Sequence, residues 1–127
     1  MTPSGAQVRL AQRVRKAMEA YRGPGRSATL SGYCGVASAV LVHVFRKGGF
    51  RATYVNGMYG ATGNYMKNRY HTWVESNGFI WDVTATQFGR RERVLVVNKA
   101  KARAFNKGVG TTSVSLCGLG QRVMEAI

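Results

Sequence analysis

The chain has 127 residues, enough for one domain with a real core, and no long Pro/Ser-rich linker suggests a second. Nineteen Lys and Arg stand against five Asp and Glu, a net charge of +14, so the surface should attract polyanions: nucleic acid, anionic headgroups or an acidic protein partner. Two cysteines exclude a disulfide-dense secreted scaffold and a multi-cysteine zinc site.

Met1 to Ala20 is interrupted by Gln7, Arg9, Gln12, Arg13, Arg15 and Lys16, which leaves no apolar region for a signal peptide. No stretch approaches the roughly eighteen apolar residues that span a bilayer. The expectation is a reduced, cytoplasmic protein with no membrane span. A bridge between Cys34 and Cys117 would consume the thiol with the better nucleophile context, so free thiols are expected.

From about Gln7 to Tyr21, Val8, Ala11, Val14, Met18 and Tyr21 recur at three- and four-residue steps, predicting an amphipathic helix with a basic outer face. Ser4 is placed to cap it, and Gly23-Pro24-Gly25 to stop it. Gly35 to Lys47 is apolar on most sides and ends at Gly48-Gly49, which predicts a buried helix. Phe50 to Asn56 alternates with period two and reads as a strand.

Gly57 to Arg69 has no sustained period and reads as a mobile loop, of which Met58 to Arg69 would form a lid. Tyr70 to Ser76 and Phe79 to Val83 flank Asn77-Gly78, the strongest short hairpin signal. Counting outward from that turn pairs Ser76 with Phe79, Trp73 with Asp82 and His71 with Thr84. His71 and Asp82 then become diagonal neighbours on one face. Farther on, Arg93 to Val97 reads as a strand, Asn98 to Phe105 as a short basic helix and Ser113 to Leu116 as a strand.

Gly32-Tyr33-Cys34-Gly35 places a cysteine at the mouth of the second helix, where unpaired N–H groups and the helix dipole favour thiolate. A buried cysteine is by default a small hydrophobe, but the flanking glycines give the backbone freedom for a substrate to approach. The Cys34 backbone N–H also points toward where an oxyanion would form. His71, at the start of a strand after a loop, is the better of the two histidines. His43, nine residues past Cys34, lies about 13 Å farther along the helix axis, so it should pack or meet solvent.

Asp82 is the only aspartate, and it sits in the strand-like run Phe79-Ile80-Trp81-Asp82-Val83. A strand interior disfavours aspartate, so it needs a partner there: an arginine, or the imidazole of His71. The basic cluster of Arg90, Arg91, Arg93, Lys99, Lys101, Arg103 and Lys107 is by default a solvated face. With Tyr59, Tyr65 and Tyr70 nearby, it also allows nucleic-acid binding. No Walker loop, zinc finger or RNA-recognition signature is present.

Cys34 at a helix start, His71-Thr72-Trp73-Val74-Glu75 and Asp82-Val83-Thr84-Ala85-Thr86-Gln87-Phe88 together resemble the transglutaminase-like branch of the papain-like cysteine enzymes, over roughly Ser31 to Gly89. The resemblance implies an α+β fold in which a cysteine-bearing helix packs on an antiparallel sheet, here preceded by an amphipathic helix and followed by a basic part, 90 to 127. It implies Cys34 as nucleophile, His71 as general acid/base and Asp82 as orienting residue, with no cofactor and no metal. The superfamily includes peptidases, amide hydrolases, deamidases, cross-linkers and acetyltransferases, with small bacterial and phage members.

No glutamine precedes Cys34 in the papain manner, so Tyr33, Tyr70 and Gln87 become the candidates for an oxyanion donor, and Trp73 for substrate contact. The expected partner is a protein or peptide substrate, attacked at an amide carbonyl and hydrolysed. Acyl transfer, cross-linking or deamidation by the same triad, and a noncatalytic basic module binding nucleic acid or an acidic protein, are the alternatives.

Overall fold

A computed structural model describes residues 2–22, 30, 32–60, 69–88, 90–111 and 113–127. Among the described residues the architecture is α+β, with three helices and one five-stranded antiparallel sheet. In chain order the elements are α1 (Gly5–Arg22), α2 (Cys34–Lys47), β1 (Thr53–Tyr59), β2 (Arg69–Ser76), β3 (Phe79–Asp82), β4 (Leu95–Asn98), β5 (Phe105–Thr111) and α3 (Gly118–Glu125). The strands lie in the order β4-β3-β2-β1-β5.

The first helix buries Ala11, Val14 and Met18 as its periodicity requires, and Ser4 Oγ accepts from Gln7 N at 3.4 Å. Two polar side chains of α1 depart from the expected basic exterior: Gln7 and Arg15 are buried. Tyr21, expected in the apolar stripe, is 46% exposed beneath the Arg122 guanidinium. The stop signal at Gly23-Pro24-Gly25 lies outside the described residues.

A turn leads into α2, with Tyr33 N donating to Leu30 O at 3.1 Å and Gly32 at φ +85°, a conformation that side chains resist. At the far end, Gly49 takes φ +90°, while Gly49 N reaches Arg46 O and Phe50 N reaches Phe45 O, a Schellman closure. That closure folds Phe50 back onto Phe45, and the strand begins at Thr53 rather than at Phe50.

Asn77 and Gly78 both have positive φ, +53° and +80°, as a two-residue hairpin turn demands. The register is the one counted from sequence, with Ser76 opposite Phe79 and Val74 opposite Trp81. One sheet face, bearing Val74, Phe79 and Trp81, packs on Phe45, Leu41 and Met18 of the helices. The other face carries Val55, Tyr59, Trp73, Ile80, Leu95 and Phe105, covered by the 3-10 turn Ala85–Phe88 and the chain around Ala102 to Ala104.

The C-terminal part departs most from expectation. The basic helix predicted over Asn98 to Phe105 is only a 3-10 turn, Lys99–Lys101, capped by the Asn98 side chain. The next stretch is strand β5, whose glycines obscure its pattern. Ser113 to Leu116 is not a strand: it runs past α2, where His43 Nε2 meets Val114 O at 2.7 Å. The unexpected α3 follows, N-capped by the Cys117 sulfur, which accepts from Gly120 N. Most of the expected lid, residues 61–68, including Tyr65, lies outside the described residues.

Candidate active site

Alternation along β2 sends Thr72 and Val74 toward the helices and His71 and Trp73 to the opposite face. Asp82 shares that second face with Ile80, at the end of β3. Because the hairpin register makes His71 and Asp82 diagonal, His71 Nε2 donates to Asp82 Oδ2 at 2.6 Å, and both side chains are about 1% exposed or less. This bond leaves Nδ1 as the ring nitrogen available to another group.

The second Asp82 oxygen is also used. Oδ1 accepts from Thr84 N at 2.9 Å and from Thr84 Oγ1 at 3.2 Å, an Asx turn that fixes the carboxylate relative to its own chain. Gln87 Nε2 donates to Thr84 Oγ1 at 3.2 Å and lies 3.4 Å from His71 Nδ1. Thus one short segment, 82 to 87, touches both nitrogens of the imidazole. Of the arginine partner that Asp82 could have had, the described residues show none.

Aromatic rings surround His71. Phe88 meets it edge-on at 4.8 Å, Tyr59 at 5.9 Å, and Trp73 lies tilted at 6.0 Å. Tyr59 and Phe88 stack on each other at 4.5 Å, which limits how far the imidazole can swing.

Cys34, the first residue of α2, approaches from the helix side and interacts with His71 and Thr72. No side chain caps the first turn of that helix, so the positive end of its dipole faces the sulfur without a competing acceptor from Tyr33. Burial pushes the thiol up, but hydrogen bonds from His71 and Thr72 and the imidazole's charge outweigh it, lowering the pKa to about 7. Burial likewise pulls His71 down, yet its bonds to Asp82 and Cys34 and their charges raise it to about 9. Between those values the favoured state is a thiolate beside an imidazolium.

The four other candidates are placed differently. Gln87 sits at the imidazole, as described. Tyr33 is the half-buried residue before Cys34, and packs against the helix-side core. Tyr70 is 81% exposed on β2. Trp73 is fully buried against Phe105, so it forms the floor under His71 rather than a surface open to substrate.

Two neighbours of the thiol escape a reading of the sequence. Thr72 interacts with Cys34 and donates to Ser38 Oγ at 3.5 Å. The Tyr54 phenol is pushed up by burial, against the influence of Thr72, and further by the charge of Cys34, and its oxygen lies over Gly35. Only the non-local pairing of β1 with β2 brings Tyr54 there, so no local signal could have found it.

A groove of about 300 Å³ adjoins this corner, lined by Gly35, Val36, Tyr54, Leu116 and Cys117 among others. Both cysteines are free. Among the described residues, no group of three or more His, Cys, Asp and Glu side chains could hold a metal ion, and no helix is long and apolar enough to cross a membrane. Comparison with protein-family models, curated proteins and solved structures returned no match.

Proposed function

We propose that the chain is a cysteine-nucleophile enzyme of the transglutaminase-like, papain-like kind, acting on an amide carbonyl of a protein or peptide. The observation that carries this reading is the buried 2.6 Å His71–Asp82 bond, with the imidazole interacting with a thiol at a helix start. A structural role alone would not require all three groups in one chain of contacts.

In the reaction, the Cys34 thiolate attacks the carbonyl carbon, forming a C–S bond and a tetrahedral oxyanion. The Cys34 N–H, the Tyr54 phenol and the Gln87 amide are the nearby donors for that oxygen. Collapse breaks the C–N bond, and the imidazolium gives its Nδ1 proton to the leaving amine. Neutral His71 then takes a proton from water as it attacks the thioester, releasing the acid and restoring the thiolate and imidazolium. Asp82 holds the Nε2 tautomer throughout. An amine in place of water would give transfer from the same intermediate.

Capture of Cys34 by iodoacetamide at pH 6, followed by peptide mass mapping, tests the reading. Wild type should label roughly thirtyfold faster than His71→Ala, the consequence of a thiol near 7 relaxing to an ordinary one near 8.5. Equal, slow labelling of both proteins overturns it. A noncatalytic binding role draws on the exposed Arg9, Arg13 and Lys16 of α1. It would show as salt-sensitive nucleic-acid binding that survives Cys34→Ala.

A further inference from the structure

Arg15 lies in α1, outside the segment that carries the triad, yet it is 2% exposed. A guanidinium is buried at high cost unless its donors are matched, and the matches here are specific. Nη1 donates to Val83 O at 2.8 Å and to Thr86 Oγ1 at 2.9 Å, while Nε donates to Glu19 Oε1 at 3.0 Å. Glu19 is one-fifth exposed, with its second oxygen 3.8 Å from Arg93 Nη2.

Val83 and Thr86 belong to the segment whose other side chains touch the imidazole: Asp82 at Nε2, Gln87 near Nδ1, and Thr84 between them. The 3-10 turn Ala85–Phe88 provides no helix long enough to hold itself in place, so its position depends on what grips it. We propose that Arg15 is a positioning residue for the triad, clamping the Val83 carbonyl and Thr86 hydroxyl so that Asp82 and Gln87 hold His71 in register with Cys34. A methionine would fill much of the same volume without the cost of burying a charge, and the planar fork is the part it lacks. This inference rests on the enzymatic reading of Cys34 and His71.

The test uses two readouts in a Cys117→Ser background: the pH dependence of iodoacetamide capture at Cys34, and the NMR titration of the His71 ring. The groups facing these two are Asp82, Tyr54 and Tyr59, with Glu19 and Arg93 beyond the clamp; all are retained. Arg15→Met should slow capture at pH 6 by about tenfold and lower the His71 midpoint by about one pH unit. Thr86→Val, which removes one acceptor and spares the fork, should shift both in the same direction, slowing capture about two- to fivefold.

Gln7→Met is the control. It removes the α1 bonds to Ser76 and Asn77 at the other end of the hairpin, so it should lower thermal stability and move neither readout. Arg15→Met and Thr86→Val with wild-type values in both readouts overturn the clamp; if Arg15→Met fails to fold, Thr86→Val decides. An ordinary thiol at Cys34 in wild type, with a His71 midpoint that still falls in Arg15→Met, sinks the enzymatic reading and supports the clamp.

Discussion

The two faces of the sheet are built on different principles. Against the helices, Phe45, Leu41, Val74 and Trp81 interdigitate with the aliphatic stripes of α1 and α2, and Phe45 meets Trp81 edge-on at 5.0 Å. On the other face the described residues place no helix, only a 3-10 turn and loops, and aromatic rings surround the His71 imidazole. The first face stabilises by area removed from water; the second holds a titratable ring in a fixed orientation. Cys34 comes from the first and His71 from the second, so the proposed reactive pair joins the rigid layer to the polar one.

The largest test of that division is Phe45→Ala. It should cost about 3–5 kcal/mol in chemical denaturation, because a large fully buried ring leaves a cavity. The folded fraction should still show Cys34 titrating near 7; a large displacement would mean that the helix core also sets the chemistry. Asp82→Asn attacks the other face, and should reduce turnover of any peptide substrate by roughly 10²–10⁴.

The pH dependence of that second variant sharpens the contrast. His71 is raised in the fold, so its contribution to stability is complete below its ordinary 6.5 and is lost as pH rises through about 9. Asp82→Asn should therefore lower the melting temperature more at pH 6 than at pH 10. Equal losses at the two values would deny the charged pair. Cys34 runs oppositely: its thiol is lowered, so its contribution is present above 9 and is lost as pH falls through about 7. Activity should accordingly show limbs near 7 and 9.

Smaller effects follow. Phe88→Ala uncovers the imidazole, and since burial is what pulls His71 down, its midpoint should rise above about 9 by NMR. A fall would show that Phe88 acts through Asp82 instead. Cys117→Ser replaces one N-cap acceptor with a better one, so the unfolding free energy should stay within about 0.5 kcal/mol of wild type by chemical denaturation; a larger loss would give that sulfur a structural role beyond the cap.

Much of the site was legible because its determinants are local. Asn77-Gly78 sets the hairpin register, and the register alone brings Asp82 to His71. The helix with Cys34 at its start follows from apolar content and a glycine stop. Strand β5 was missed because Gly108 and Gly110 dilute its pattern, and its partner β1 is about fifty positions away in sequence. Arg15 reads as one more cation on a basic helix; only tertiary structure shows that its fork is inside. Tyr54 and Thr72 belong to the same class, since their proximity to the thiol is a property of strand pairing and helix docking rather than of any motif.

Gly57 bears on how such a chain can change over time. It pairs with His71 across β1 and β2 and stands where the β1–β5 register shifts by a bulge. A Cβ there would run into the Trp73 ring and the Asn106 carbonyl, and one at Gly108 into the Asn56 carbonyl. Every single substitution at Gly57 adds that atom, and no nearby mutation removes the backbone oxygen it meets. Sequence drift in descendants of this chain is thus closed at the position facing the imidazole-bearing residue, whatever substrate the surrounding loops come to select.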